Sequence, residues 1–310
     1  MRTDVNLLSL VLTCLPFLAF GQKTIPPGSF KANHYGVEHG LSQGSNYFML
    51  RDSRHFYWFS SYEGLNRFDG RRFQRFYFNP NDPASLQGTE VLGMVEDALG
   101  NIWVGTEQCL NRYDRRSGRF TGIFSKNEKG EKVHSQTHPF YADSAEVWFA
   151  NGRDGIVRYD FRKGRKTVVD STLRYKLDYY FNFRVQCLGR GDFWMSQQKG
   201  LVHVNLNRKK QDWFFSDRPD NITGPPAEIF TYRIHGQTVW VGTKEGLFKL
   251  DLASNACQKI PSPFDFSKNT LFSIQVDNAG RVWLGTLDDG VLVFDPTEGT
   301  FHRLADLLGQ

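Results

Sequence analysis

Cysteine and methionine each occur only four times in 310 residues, and so little cysteine excludes a fold built on a disulfide framework. Of the four, Cys109, Cys187 and Cys257 lie beyond the N-terminal segment, odd in number and far apart. They are expected to be buried free thiols. Long apolar runs are also missing. After residue 20 nothing approaches the roughly 18 consecutive apolar residues of a membrane helix. The eight histidines show no paired ligand spacing, and Cys-x-x-Cys is absent, so no metal and no cofactor is expected. Gly-x-Ser-x-Gly is absent as well, which removes one signature of a serine nucleophile. No window sustains the 3.6-residue period of an amphipathic helix. Charged residues at 23% and aromatics at 15% exclude a disordered chain.

What is present begins with an export signal. Arg2 is followed by an apolar run from Leu7 to Phe20, and Ala19-Phe20-Gly21 places small residues where a signal peptidase reads them. The run is about 14 residues, too short for a hydrocarbon core of ~30 Å. Residues 1–21 are therefore expected to be a signal peptide, and residues 22–310 a single periplasmic domain without an anchor. Cleavage removes Arg2 with Asp4, so the net charge stays at +5. Export also separates this basic chain from nucleic acid, which is not an expected partner.

The seven tryptophans carry the organisation. Trp58, Trp103, Trp148, Trp194, Trp240 and Trp283 lie 45, 45, 46, 46 and 43 residues apart, and only Trp213 is off this lattice. Their surroundings repeat, as in Trp103-Val-Gly-Thr, Trp240-Val-Gly-Thr and Trp283-Leu-Gly-Thr. Six or seven residues after each Trp stands Gly64, Cys109, Gly155, Gly200, Gly246 or Gly290. A short apolar run then ends in Asp69, Asp114, Asp160, Asn205, Asp251 or Asp295.

Each copy reads as four short strands. In the second copy these are 91–96, 101–106, 110–113 and 119–124, separated by Gly and Asp/Asn turns. A pitch near 45 residues with four strands per unit predicts an all-β protein, a β-propeller of four-stranded antiparallel blades with six blades present. A lone blade cannot bury both faces, so each Trp is expected to fill the wedge between neighbours. The Gly before the third strand is expected to supply positive φ, and Cys109 predicts a different local turn in the second copy.

A family likeness rests on particular segments. Gly40-Leu41-Ser42-Gln43 precedes the first blade, Glu63-Gly64-Leu65-Asn66-Arg67-Phe68-Asp69-Gly70 closes its third strand, and Asn81-Asp82-Pro83-Ala84-Ser85-Leu86 leads onward. Glu96-Asp97-Ala98-Leu99-Gly100-Asn101-Ile102-Trp103-Val104-Gly105-Thr106 opens the second blade. The chain resembles the two-component regulator propeller repeat of the periplasmic sensor region of bacterial hybrid histidine kinases. The likeness runs over about residues 30–304 and weakens in blades three and four, where Asn205 replaces the closing Asp. It implies a sensory input module without kinase motifs of its own. The implied partners are an oligosaccharide or other small ligand, and the remaining blades or kinase portion of a sensor, or a homodimer.

Ring closure is a further expectation. Blade six has its own outer strand at 300–304, which leaves Phe30 to Tyr35 as a spare outer strand. The expected reading is a seven-blade ring that lacks one blade. The rival is a six-blade ring with an extra strand. Packing of blade six on blade one like the other neighbours would favour the rival.

Candidate binding residues fall on two faces. The turns between second and third strands carry Glu63, Gln108, Asp154, Lys199, Glu245 and Asp289, an acidic set that could ring a channel mouth. The turns between third and fourth strands carry Arg71, Arg72, Arg115, Arg116, Arg162, Lys163, Arg165, Lys166, Arg208, Lys209 and Lys210. This basic arc would suit an anionic glycan or acidic partner. Solvated hairpin turns of ordinary composition explain both sets equally well. Nothing in the sequence places two carboxylates at catalytic separation, so the expected function is ligand sensing without catalysis. The alternatives are an exported polysaccharide lyase or glycosidase-like propeller, and an envelope protein-interaction module.

Overall fold

Alternation of β-branched and aromatic residues with Gly, Asp and Asn turns yields six four-stranded antiparallel sheets, each with its strands in chain order. The computed structural model describes residues 31–173, 184–197 and 200–308; the expected signal peptide at 1–21, Cys14, Phe30 and Lys199 lie outside the described residues. The blades span 46–76, 91–123, 137–170, 185–214, 229–259 and 271–303. In blade two the strands are Val91–Glu96, Ile102–Thr106, Leu110–Asp114 and Arg119–Ile123, within one residue of the sequence reading. Every first strand carries a register shift, such as that between Val91 and Gly93, which adds local twist to the inner wall. A short side hairpin, Ser125–Lys126 with Lys132–Val133, is appended to blade two. Among the described residues no helix is long and apolar enough to cross a membrane.

The turns explain the repeated residues. Gly64, Gly155, Gly200, Gly246 and Gly290 all have positive φ, as expected, whereas Cys109 does not. In four blades a Ser or Thr ends the second strand and closes the turn: Ser61, Thr106, Thr243 and Thr286 donate from their hydroxyls to the carbonyls of Gly64, Cys109, Gly246 and Gly290. The Asp of the first turn accepts the indole N–H six residues later. Asp52 holds Trp58 at 2.7 Å, Asp97 holds Trp103 at 2.8 Å and Asp277 holds Trp283 at 2.9 Å. Blade three has a shortened first turn, and there Glu146 accepts from Trp148 at 2.7 Å.

Five of the six repeat Trp enter the core of the next blade. Trp58 packs with Ile102, Val104 and Tyr113; Trp103 with Val147 and Phe149; Trp148 with Phe193 and Val202. Trp194 packs with Val239 and Phe248, and Trp240 with Val282 and Leu292. Six blades thus share five inter-blade cores. Trp283 is half-buried and belongs to none of them.

The register identifies what blade one presents on its free side. Met49, Tyr57, Phe59, Phe68 and Phe73 match Met94, Ile102, Val104, Tyr113 and Phe120 of blade two. Ile102 and Val104 are fully buried, whereas Tyr57 and Phe59 are half-buried and Met49 is 65% exposed. Blade six therefore does not share a core with blade one among the described residues, as the expectation of an unclosed ring requires. Over the described residues 31–35 the expected spare outer strand is not formed. Residues 31–35 are irregular and lead to the 3-10 turn Val37–His39, and Tyr35 packs against Phe68 with ring centroids 4.9 Å apart. An aromatic cap, not a paired strand, covers part of that face.

Candidate functional site

Antiparallel order places the turns between second and third strands on one face. The turns between first and second and between third and fourth strands lie on the other. On the first face the acidic residues serve their own turns. Glu63 is exposed, and its N–H donates to Ser61 Oγ; Glu245 is exposed, and its N–H donates to Thr243 Oγ1. The Asp154 N–H donates to Asn151 Oδ1, and Gln108 does the same with Thr106 Oγ1. Asp289 pairs with Arg303 at 2.9 Å and accepts from Asn269. Glu245 lines a pocket of about 370 Å³ within blade five, floored by Ile260 and Phe266. These acids sit on different blades; the bonds at Glu63 and Glu245 engage only the backbone N–H and leave their carboxylates exposed, whereas the Asp289 carboxylate is held by Arg303 and Asn269. Among the described residues no group of three His, Cys, Asp or Glu could hold a metal.

A less expected carboxyl pair lies on the same face. Glu107 accepts from the backbone of Thr89 and Glu90 at 3.0 Å each. Burial, with a smaller contribution from the Glu107 charge, pushes the Glu90 carboxyl up to about 7.

The inner strands of blades one to four enclose a cleft of about 190 Å³, walled by Phe48, Leu92, Met94, Phe140 and Val185 with His138 among them. Burial pulls the His138 imidazole down to about 3, so it is neutral at physiological pH. The Arg184 guanidinium stands 4.8 Å from the Phe48 ring centroid, and burial lowers it to about 10.

On the second face the basic residues divide. Arg71 and Arg72 donate their backbone N–H groups to Asp69 and leave exposed side chains. Arg116 does the same with Asp114. Arg162, Lys163, Arg165, Arg208, Lys209 and Lys210 are exposed. Lys166 is half-buried and donates to the Phe124 carbonyl at 2.9 Å. Arg115 is the exception. Its guanidinium crosses the joint between blades one and two, 2.9 Å from both Asp52 and Glu96. Beside it lies a cleft of about 600 Å³ bordered by Arg54, Arg112 and Arg116.

Arg54 and Arg112 were not singled out by the sequence. One signal was available for Arg112: it stands opposite Trp103 in register, as Arg67, Arg158, His203 and Lys249 stand opposite their own Trp. Arg112, Arg67 and Lys249 place their cations 5.7–6.0 Å from the indole centroids. Arg54 faces the cleft only because blade one lies beside blade two. Trp213, the off-lattice Trp, packs at the edge of the blade three–four core under Arg218, 4.5 Å from its ring centroid.

Comparison with known proteins follows this geometry. The model of the two-component regulator propeller matches residues 85–108. Among solved structures, the extracellular domain of a hybrid two-component system of B. thetaiotaomicron is similar at 21% identity and TM-score 0.63. The match covers 87% of this chain and 36% of that one. The extracellular domain of a one-component system of the same organism follows at 18% identity and TM-score 0.62, over 85% and 33% of the two chains. PorZ, a surface component of the type-IX secretion system of Porphyromonas gingivalis, is similar at 15% and 0.60, over 87% and 42%. This chain thus spans about a third to two-fifths of those structures, and at such identities the likeness is one of fold. No curated protein matches. The protein is a six-bladed β-propeller in which residues 85–108 match the model of the two-component regulator propeller.

Proposed function

We propose that this propeller is the extracytoplasmic, ligand-binding input module of a two-component signalling system and recognises an oligosaccharide by stacking and hydrogen bonding, without catalysis. The observation that carries this reading is the regulator-propeller repeat at residues 85–108, within a fold similar to extracellular domains of signalling proteins. Arg71, Arg72 and Arg116 on one face, and Glu63 and Glu245 on the other, supply exposed polar groups for such a ligand. The test is calorimetric titration of the purified protein with a panel of neutral and acidic oligosaccharides, each mixture then chromatographed. Saturable binding with the sugar recovered intact is the expected result. Absence of binding throughout the panel would overturn the reading, and cleavage products would replace it with the enzyme alternative.

The likeness to PorZ gives the interaction-module alternative a specific footing, since PorZ is a bacterial surface component. That alternative requires binding to an envelope protein in place of a sugar.

A further inference from the structure

The turn after each third strand breaks its own repeat at one position. The residue following the closing Asp or Asn is Gly70, Phe161, Leu206, Leu252 and Pro296 in five blades, and Arg115 in blade two. Five small or apolar residues suit a tight turn at a blade edge. A charged side chain that is only 10% exposed does not, unless its charge has work at that place.

Part of that work is the joint between blades one and two. One nitrogen, Arg115 Nη2, lies 2.9 Å from Asp52 of blade one, whose side chain is fully buried, and 2.9 Å from Glu96 of blade two. The other, Nη1, has no hydrogen-bond partner, and neither does Nε of Arg112. Buried N–H groups without acceptors carry a desolvation penalty. Both arginines border the 600 Å³ cleft, together with Arg54, Arg116, Asp114 and the exposed Leu99.

The carboxylates around the cleft are already engaged. Asp114 accepts from the backbone of Ser117 and Arg116, which holds its carboxyl below the usual range. Asp97 is occupied by Trp103 and Asn101, and Glu96 by Arg115 and Ser53. Four arginines and one carboxylate, Asp114, thus line the opening, and of the four Arg115 is already paired with Asp52 and Glu96.

We infer that this cleft is an oxyanion-binding site, taking a sulfate, phosphate or carboxylate group borne by the ligand. Guanidinium groups suit such groups because planar forks of N–H donors match paired oxygens. Arg54 and Arg116 supply the exposed donors at the rim, Arg112 and Arg115 line the cleft behind them, and Leu99 offers an apolar wall to the ring that carries the anion. Because Arg115 also holds Asp52, occupancy fastens blade one to blade two. The inference rests on the sensing reading and narrows its ligand to an acidic one.

The experiment is calorimetric titration of the purified protein with sodium sulfate, sodium phosphate or sodium glucuronate at constant ionic strength, with glucose as the neutral control. Saturable binding of at least one oxyanion is expected. R54E/R116E should weaken it at least tenfold, and K126E/K129E, at exposed lysines of the side hairpin outside the cleft lining, should leave it unchanged. Sulfate or phosphate against glucuronate separates an ester from a carboxylate. Arg54 and Arg116 are exposed, so reversal leaves the fold intact, which circular dichroism checks. No saturable binding of any oxyanion, or equal binding by R54E/R116E, would overturn the inference. Binding of neutral oligosaccharides alone would remove the cleft while leaving the sensing reading in place.

Discussion

Replacing Trp103 by Ala and, separately, Trp283 by Ala tests the packing argument at two equivalent repeat positions. Both indoles donate to the Asp six residues upstream, at 2.8 Å and 2.9 Å, so the lost hydrogen bond is common to the two. The difference is burial. Trp103 has no exposed surface and joins the core of blade three, whereas Trp283 is half-buried and joins no inter-blade core. Full burial of 150–250 Å² at ~25 cal/mol/Å² gives about 4–6 kcal/mol as an upper bound. Measured losses for buried Trp to Ala run about 3–5 kcal/mol. Trp283 is partly exposed and buries somewhat less of that area. Trp103→Ala should therefore cost roughly 1 kcal/mol more than Trp283→Ala. Urea unfolding followed by far-ultraviolet circular dichroism reads this without relying on the deleted fluorophore, with the slope checked for constancy because repeat arrays can lose two-state behaviour. Equal losses would refute the view that Trp283 lacks the blade contact its five counterparts have.

His138, neutral in the fold down to about pH 3 and protonated in the unfolded chain below about 6.5, should make stability fall as pH drops through that window. The slope is up to about 1.4 kcal/mol per pH unit, and the difference between wild type and His138→Leu across pH 4–6.5 isolates it. Glu90 acts in the opposite sense. Its carboxyl is protonated in the fold up to about 7 and ionised in the unfolded chain above about 4.5, so its contribution is present at low pH and lost as pH rises through 7. Glu90→Gln should flatten that dependence in thermal melts from pH 4.5 to 8. Burial pushes the Cys109 thiol up to about 12, so it should resist a thiol reagent until the chain unfolds. Cys257, half-buried, should react first, as peptide mapping of partly labelled protein would show.

How far the sequence reaches depends on the range of the interaction. The 45-residue pitch, the four strands of each blade and the positive φ of Gly64, Gly155, Gly200, Gly246 and Gly290 were legible because turn chemistry and strand alternation act over a few residues. The departure at Cys109 was legible for the same reason. The strand expected at 30–35 was not formed over its described residues, because an edge strand needs a partner that local sequence does not supply. The acidic turns looked alike along the chain, yet the structure keeps them on separate blades with separate partners. The basic arc looked uniform, yet Arg115 is nearly buried while Arg116 beside it is exposed.

By itself, then, the sequence determined the blade, its repeat and the wedge role of tryptophan, since these follow from short-range backbone and side-chain rules that recur six times. Tertiary structure alone decided which Trp has a neighbour to enter, and which cations meet across a joint. Asp52 and Arg115 are 63 positions apart, and their contact exists only because one twisted sheet is laid face to face on the next. The orphan N–H groups of Arg112 and Arg115 arise from that stacking, which buries their guanidinium groups without supplying every acceptor.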